Sequence, residues 1–390
     1  MASDCTGERG SLGAEHGMVT KVMMIAGEAS GDLHGAGIVR QLKAMHHTLE
    51  VFGVGGDKMK AEGMNLVYHV SELSVMGFTE VAKQLPRIYS VERALTEILK
   101  FKKPDVVVLI DYPGFNMRFA KIAKQNGVPV VYYISPQVWA WRKSRIKKMK
   151  GIVDKMLVVF PFEVELYKEE GIDAEFVGHP LLEVLKPQLE RDGFFKRYSL
   201  DPNKKVLGLL PGSRLQEIER IFPAMLSAAR KVSAQTDAQI VVGVAPTLEE
   251  KYFSTMYNVN GVKLVKGATY ELMSYADVAL VTSGTATLET ACLETPFVVV
   301  YKTSWTTYLI GRLFVQIKNI GLVNIVAGKQ IVPEYIQHRA TAANLARAVR
   351  TLLNDKDAVQ TMKTELANIK AKLGEHGASQ KVAERILQMA

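Results

Sequence analysis

Short apolar runs that alternate with helical stretches restrict the fold of this chain more than any other feature. One apolar run, residues 278–281, leads into the turn Thr282-Ser283-Gly284, and a helical stretch and a second apolar run, Phe297–Tyr301, follow. Continuous apolar runs of this length are typical of strands in a parallel sheet that is covered on both faces. A helix that joins two such strands is a parallel crossover. The segment therefore predicts a strand, a tight turn, a helix and a strand of an α/β protein.

The same alternation occurs in both halves of the chain. The other predicted strands are Lys21–Ala26, 51–54, Val106–Ile110, 128–134 and 156–160 in the first half, and Val206–Leu210, 240–244 and 262–265 in the second. Between the halves, residues 186–205 are mixed and polar and contain Pro187 and Pro202, which indicates a linker. We expect an α/β protein with two Rossmann-like, doubly wound domains that face a cleft, over 18–185 and 206–345, with C-terminal helices over 346–390.

Composition sets the class of protein. The 390 residues are 48% hydrophobic and 23% charged, as in a folded globular protein, and no apolar run is long enough to cross a bilayer. Residues 1–17 lack an apolar core like that of a secretory signal, so we expect a disordered extension. Cys5 and Cys292 suggest neither a disulfide framework nor a zinc site, which fits a reducing cytoplasm. The formal charge of +9 favours anionic partners such as phosphates, nucleic acid or an acidic membrane surface.

Two loops in the second half are candidate anion sites. Ser283, Gly284 and Thr285 stand where a helix should begin, and unpaired backbone N–H groups make such a position attractive to phosphate. The second loop has Gly212, Ser213 and Arg214 after the strand Val206–Leu210, and Arg214 adds a permanent cation. Glu289, about one turn into its helix, has a carboxylate suited to sugar hydroxyls. A well-capped helix with no ligand remains the alternative.

Two loops in the first half are candidates for a second substrate. The loop after the first strand contains Gly27, Glu28, Ser30, Gly31 and Asp32. Its glycines allow a tight turn and close approach of a ligand, while Ser30 or Asp32 would suit a helix cap.

Asp111 directly follows the strand Val106–Ile110, where open α/β sheets bind ligands. Its carboxylate is therefore placed to act as a general base. The alternative is a carboxylate that caps the following turn, which Pro113 and Gly114 favour.

A stretch over 73–103 has apolar residues at helical spacing and basic residues beside them. Pro86 predicts a break, and so two helices packed on the sheet. Alternatively, an apolar edge enters an anionic membrane surface. The residues of that edge are Met76, Phe78, Val81, Leu85 and Ile88. A basic run over 142–150, next to Trp139 and Trp141, is either a solvated helix face or a phosphate-binding or interfacial segment.

Motifs of competing enzyme classes are absent from the sequence. There is no Walker A motif, no G-x-G-x-x-G after the first strand, and no His/Cys cluster for zinc. Asp355-Lys356-Asp357 lies between predicted helices, so we interpret it as a turn and expect no metal site and no cofactor. These features favour a metal-independent nucleotide-sugar transferase of the two-Rossmann-domain, or GT-B, type.

Six motifs, in this order, resemble those of the lipid-A-disaccharide synthase family, from about Lys21 to the C-terminus. They are Gly27-Glu28-Ala29-Ser30-Gly31-Asp32, Ile110-Asp111-Tyr112-Pro113-Gly114-Phe115-Asn116, Ser135-Pro136-Gln137-Val138-Trp139-Ala140-Trp141, Leu210-Pro211-Gly212-Ser213-Arg214, Ser283-Gly284-Thr285-Ala286-Thr287-Leu288-Glu289 and Asn324-Ile325-Val326-Ala327-Gly328. Ala29 departs from the pattern, because many members have a hydroxyl residue there. The resemblance therefore implies a backbone role for that position and no side-chain contact.

The resemblance implies a GT-B fold and an inverting transferase of glycosyltransferase family 19. Such an enzyme joins UDP-2,3-diacylglucosamine to 2,3-diacylglucosamine 1-phosphate, releasing UDP and a β-1,6-linked disaccharide 1-phosphate for lipid A biosynthesis. It implies that Asp111 is the base for the acceptor 6-hydroxyl. It also implies that Arg214, Ser283, Gly284, Thr285 and Glu289 bind UDP and that Asn324 lies in the adjacent loop.

The implied location is the cytoplasmic face of the inner membrane of a Gram-negative bacterium, with the protein peripheral on an anionic surface. No nucleic-acid partner is expected. The sequence allows a homodimer but carries no interface signature.

Two alternatives stay open on the sequence alone. One is another GT-B enzyme of UDP-sugars, such as a UDP-GlcNAc 2-epimerase or the peptidoglycan glucosaminyltransferase. The other is a non-catalytic protein that binds nucleotide or nucleic acid, which the positive charge would suit.

Overall fold

The computed structural model describes residues 20–73, 78–136, 143–304, 308 and 319–390, without the side chains of 78–84 and 143–145. The predicted extension over 1–17 lies outside these residues, as do Met76, Trp139 and Trp141.

The first sheet has seven strands in the order β3-β2-β1-β4-β5-β6-β7. They are β1 (Lys21–Ala26), β2 (Glu50–Gly55), β3 (Asn65–His69), β4 (Val106–Ile110), β5 (Val130–Tyr133), β6 (Lys155–Val158) and β7 (Ala174–Phe176). The strand β1 pairs in parallel with both β2 and β4, so Val22 lies between Val51 and Val106. Every residue of β4 is buried, as a strand covered on both faces requires. The strand order changes direction between β1 and β4, where ligands commonly bind.

The second sheet has six parallel strands in the order β10-β9-β8-β11-β12-β13. They are β8 (Val206–Leu210), β9 (Gln239–Val244), β10 (Val262–Lys266), β11 (Val278–Thr282), β12 (Phe297–Tyr301) and β13 (Glu334–Ile336). Here the order changes direction between β8 and β11. The two candidate anion loops follow these two strands, so the sheet brings them to the same edge.

Helices connect the strands. In chain order they are α1 (Ala29–Met45), α2 (Asp57–Ala61), α3 (Phe78–Lys102), α4 (Pro113–Gln125), α5 (Pro161–Lys168), α6 (Leu181–Val184), α7 (Arg191–Arg197), α8 (Leu215–Thr236), α9 (Glu250–Met256), α10 (Thr269–Tyr275), α11 (Thr285–Cys292), α12 (Leu322–Ala327), α13 (Ala342–Asn354), α14 (Lys356–Lys372) and α15 (Ala378–Leu387). Asp355 caps α14 by accepting from the Ala358 N–H, and Lys356 and Asp357 are the first residues of that helix, so Asp355-Lys356-Asp357 forms a helix start rather than the predicted turn.

The predicted break at Pro86 is wrong, because α3 continues through it as one helix of 25 residues. Proline removes one backbone hydrogen bond from a helix interior. Beyond it, Ile88, Val91, Leu95 and Leu99 are buried at helical spacing. Burial of such side chains is worth about 1.5–3 kcal/mol each, which outweighs the loss at one proline.

Contacts divide the chain into two compact units. One runs to Tyr132 and includes Ala383–Ala390, and the other is Tyr133–Val382. The segment predicted as a linker, 186–205, contains α7, whose Phe194 and Phe195 are buried. The Glu271 carboxylate accepts from the Gln188 and Leu189 N–H groups at 2.8 and 3.0 Å. This segment is therefore packed within the second unit.

None of the helices in the described part of the chain is long and apolar enough to span a membrane.

Candidate active site

Asp111 lies immediately after β4 in a left-handed backbone conformation that few non-glycine residues adopt. Its φ is +48°, and that of Tyr112 is +47°. The Asp111 carbonyl accepts from the Asn116 amide at 2.7 Å and from the Tyr132 hydroxyl at 2.6 Å. Two consecutive residues of this conformation are costly, and such strain clusters at functional sites. The neighbouring strand and helix thus hold Asp111 in one orientation. Tyr132 was not found from the sequence, because it looks like any buried strand aromatic.

Gly27 is required by the packing of Tyr112. A Cβ atom at position 27 would lie 2.1 Å from the Tyr112 ring, well inside contact distance. The Tyr112 hydroxyl donates to the Leu73 carbonyl at 2.7 Å, which fixes the ring over the glycine. The loop after β1 and the loop after β4 therefore form one structure.

The Asp111 carboxyl is half-buried, and its pKa is raised to about 6. Burial is the main cause, the negative charge of Glu28 adds to it, and the Tyr112 N–H partly offsets both. A pKa near the working pH suits a general base, since the group is ionised at neutral pH and still takes up a proton. The alternative role as a helix cap finds no support, since α4 begins without a side-chain cap.

Asp32 caps a helix, but not the helix that it was expected to cap. It does not cap its own helix, α1, which begins after Glu28 without a side-chain cap. Its buried carboxylate instead accepts from the backbone N–H groups of Gly56, Lys58 and Met59 at 2.7, 3.2 and 3.0 Å. It thus caps α2, and these bonds occupy both carboxylate oxygens. In the same loop, Gly31 is buried, with its Cβ position 3.2 Å from the Ala26 methyl, and Ser30 is exposed.

The second unit holds the loop after β8. Gly212 has φ +105°, a conformation that favours glycine, and Ser213 is exposed. Arg214 precedes the first residue of α8, and 81% of its side chain is exposed. Its guanidinium forms an ion pair of 3.0 Å with Glu217. The loop thus offers a cation that is free to reorient toward an anion.

The loop after β11 places a helix start beside it. Gly284, with φ +151°, is the N-cap of α11. The Ser283 N–H donates to the Val300 carbonyl, and its hydroxyl donates to the Ile320 carbonyl at 3.1 Å. The backbone N–H groups of Gly284, Thr285 and Ala286 have no hydrogen-bond partner among the described residues. Because a helix start leaves such donors unpaired, this turn can hold a phosphate through its backbone.

Glu289 lies one turn into α11, and the Tyr270 hydroxyl is close enough to influence its carboxyl. Burial raises the pKa of Glu289 to about 7, and the Tyr270 hydroxyl limits the rise. Burial, followed by the charge of Glu289, raises the pKa of Tyr270 to about 12. Tyr270 therefore keeps its proton at neutral pH. No sequence pattern selects Tyr270, which lies about 20 positions before Glu289 in the chain.

Asn324, in α12, is held by hydrogen bonds within the protein. Its amide donates to the Val332 carbonyl and to Glu334, each at 2.8 Å, and its Oδ1 accepts from the Ile331 and Val332 N–H groups. The side chain is fully buried, and these four bonds use all its capacity. Glu334 also accepts from the Ile320 and Gly321 N–H groups. This pair therefore builds the loop that receives the Ser283 hydroxyl.

The predicted apolar edge of α3 is only partly exposed. Ile88 is 8% exposed and belongs to the core, so it cannot form an apolar edge, whereas Leu85 and Tyr89 are 38% and 51% exposed. The side chains of Phe78 and Val81 lie outside the described residues. His179 is buried as well, and its Nδ1 accepts from the Leu181 N–H.

Within the described ranges, no group of three or more His, Cys, Asp or Glu side chains is arranged to hold a metal ion.

Similar solved structures share this architecture. A UDP-GlcNAc 2-epimerase from Neisseria meningitidis, solved with UDP-GlcNAc, has a TM-score of 0.66 at 16% identity, covering 95% of this chain and all of that one. The glycotransferase of kitacinnamycin has a TM-score of 0.64 at 15% identity, covering 95% and 99%. Identities this low establish the fold alone. It is the GT-B fold of nucleotide-sugar enzymes, as the sequence predicted.

The family follows from sequence similarity. The lipid-A-disaccharide synthetase family model matches residues 22–389. The lipid-A-disaccharide synthase of Syntrophus aciditrophicus is 43% identical over 372 residues, which are 94% of this chain and 97% of that protein. That of Geobacter sulfurreducens is 40% identical, covering 95% and 97%. The chain therefore belongs to the lipid-A-disaccharide synthase family, glycosyltransferases of lipid A biosynthesis that use a UDP-sugar and a lipid-linked sugar. The alternative epimerase and non-catalytic functions are not favoured.

Proposed function

We propose that this enzyme joins UDP-2,3-diacylglucosamine to 2,3-diacylglucosamine 1-phosphate with inversion, giving the β-1,6-linked disaccharide 1-phosphate and UDP. The observation that carries the proposal is Asp111, a half-buried carboxyl with a pKa of about 6 at the carboxyl end of β4. The acceptor 6-hydroxyl is a poor nucleophile at neutral pH. As its oxygen bonds to the sugar C1, Asp111 takes its proton, and the bond from C1 to the UDP oxygen breaks.

The donor binds to the second unit in this proposal. Backbone donors of Gly284 and Thr285, together with Arg214 and the Gly212-Ser213 turn, hold the diphosphate. Charge builds on the diphosphate as it leaves, so these groups act most strongly in the transition state. Glu289 accepts hydrogen bonds from sugar hydroxyls of the nucleotide, with the Tyr270 hydroxyl beside it. The Ser283 side chain supports the turn from behind, since its hydroxyl is already bonded to Ile320.

Acyl chains on both substrates call for contact with a lipid surface. We propose that the protein works at the cytoplasmic face of the inner membrane. Leu85 and Tyr89 of α3 support this proposal, because both are exposed and lie near the basic residue Arg87. Basic residues near apolar ones favour an anionic membrane surface. A homodimer stays a prediction, which light scattering of the purified protein tests.

We further propose that the transfer needs no metal ion, because Arg214 and the helix start can stabilise the leaving UDP.

The test is to incubate purified protein with both proposed substrates, with and without EDTA, and to follow UDP and disaccharide by mass spectrometry. Equal disaccharide formation in both samples supports the metal-free transferase. Formation of UDP without disaccharide would support the proposed donor site and show that the proposed acceptor substrate is wrong. A folded sample that yields neither product would overturn the proposed reaction.

A further inference from the structure

We propose that Thr282 is a further donor-binding residue, whose hydroxyl donates a hydrogen bond to a phosphate oxygen of the nucleoside diphosphate. This inference rests on the proposed function of the second unit as the donor site.

Thr282 stands between the two candidate anion loops. It is the last residue of β11, pairs with Val300 of β12, and directly precedes the Ser283-Gly284 turn. Its methyl group lies 3.2 Å from the position that a Cβ atom on Gly212 would occupy. Glycine at 212 thus lets the loop after β8 come close to Thr282. The residue is therefore at the point where backbone from both loops converges.

The Thr282 hydroxyl has no hydrogen-bond partner among the described residues, although only 5% of the residue is exposed. Other buried threonines nearby differ in this respect. Thr287 donates to the Gly284 carbonyl and Thr290 to the Ala286 carbonyl, both at 2.8 Å, and Thr295 donates to the Met273 carbonyl. The local fold satisfies threonine hydroxyls where they are structural, and it leaves this one unsatisfied.

An unsatisfied buried hydroxyl is costly, so its presence calls for an explanation. A valine would give almost the same shape without the cost. The ligand that the surroundings fit is an anion, because the N–H groups of the next residues, Gly284 and Thr285, lack partners in the described chain and Arg214 lies in the facing loop. A hydroxyl can donate to a phosphate oxygen, and such charge-assisted bonds are the stronger ones.

The experiment compares UDP binding by calorimetry and the thermal unfolding midpoint for the wild type, Thr282→Val, Thr282→Ser and Thr290→Val. We expect Thr282→Val to weaken UDP binding roughly tenfold or more, the effect of one hydrogen bond to a charged group. Its midpoint without UDP should be unchanged or higher, because an unsatisfied polar atom has been removed. Thr282→Ser, which keeps the hydroxyl, should bind within about threefold of the wild type. Thr290→Val should bind UDP normally, since that hydroxyl is satisfied within its helix.

The outcomes separate this inference from the proposed function. If the wild type binds UDP and Thr282→Val binds it equally well, the inference is wrong and the donor site stands. If Thr282→Val loses stability in the absence of UDP, the hydroxyl has a structural partner such as a buried water, which also overturns the inference. A wild type that fails to bind UDP contradicts the proposed function itself.

Discussion

Asp111 combines a strained backbone with a raised carboxyl pKa, and both features follow from its immediate neighbours. Asn116 and Tyr132 hold the Asp111 backbone, whereas burial and the charge of Glu28 raise the pKa of its carboxyl. Asp111→Asn keeps the shape and removes the base, so we expect turnover to fall by roughly 10²-fold or more. The matched control is Asp57→Asn in the same unit, where 94% of the side chain is exposed and activity should be unchanged. A near-normal rate for Asp111→Asn in the disaccharide assay would exclude it as the base.

The pH dependence of the reaction is a second test of the same residue. Asp111 holds a proton below its pKa of about 6, and only the ionised form can accept the acceptor proton. We therefore expect kcat/KM to fall about tenfold per pH unit below pH 6. Because Glu28 raises the pKa of Asp111, Glu28→Gln should move this acidic limb to lower pH. If the acidic limb of the pH profile stayed at the same pH in Glu28→Gln, the limb would reflect the titration of a group other than Asp111.

For single residues, the sequence identified candidate groups better than it identified their roles. Asp111 and Glu289 could be selected because each follows a predictable strand end. The roles of Asp32 and Asn324 could not be predicted, because each role depends on backbone groups that folding brings close, such as those of Gly56 and Val332. A buried polar side chain that is saturated by backbone groups resembles a ligand-binding one until its partners are known.

Among the elements, the central strands were predictable, whereas three of the four edge strands in the two described sheets were not, β10 being the exception. The strands β1, β4, β8 and β12 have the predicted bounds, because a strand buried on both faces is a continuous apolar run. The strands β3, β7 and β13 lie at sheet edges and were missed. Their sequences, NLVYH, AEF and EYI, are short and carry polar residues, and only pairing with a neighbour makes them strands.

The start of α2 gives a prediction about stability. Asp32 satisfies three backbone N–H groups there, two of them through one oxygen. We expect Asp32→Ala to lower the free energy of unfolding by about 2–4 kcal/mol, since a cap is lost and buried donors are left without partners. The exposed first-turn variant Asp57→Asn should cost under about 1 kcal/mol, the range of a surface helix-dipole effect. Urea unfolding of both variants measures the difference. Equal, small losses would show that the cap contributes little.

For the whole molecule, the alternation of strands and helices was enough to predict two doubly wound sheets, and both are present. The loops that carry the candidate site could be placed because each follows a strand beside a reversal of strand order. Contacts between residues far apart in the chain could not be predicted from this alternation. Pro86 shows the limit, because the burial of Ile88 and Leu95 against the rest of the unit overrides a strong local helix breaker.

Association with membranes is the last prediction and belongs to the whole protein. Leu85 and Tyr89 are exposed large apolar side chains one turn apart on α3, whereas Ile88 is core. Replacing Ile88 would therefore test folding rather than binding. We expect the double variant Leu85→Gln with Tyr89→Gln to weaken binding to vesicles of anionic phospholipid about tenfold, since each side chain contributes part of its burial energy of about 1.5–3 kcal/mol. Activity on detergent-dispersed substrate should be retained.

The control is the double variant Leu215→Gln with Met256→Gln, at two residues of similar exposure in the other unit. This variant should bind vesicles as the wild type does. Vesicle flotation measures all three proteins. Wild-type binding by the α3 variant would mean that this face of the helix does not contact the membrane.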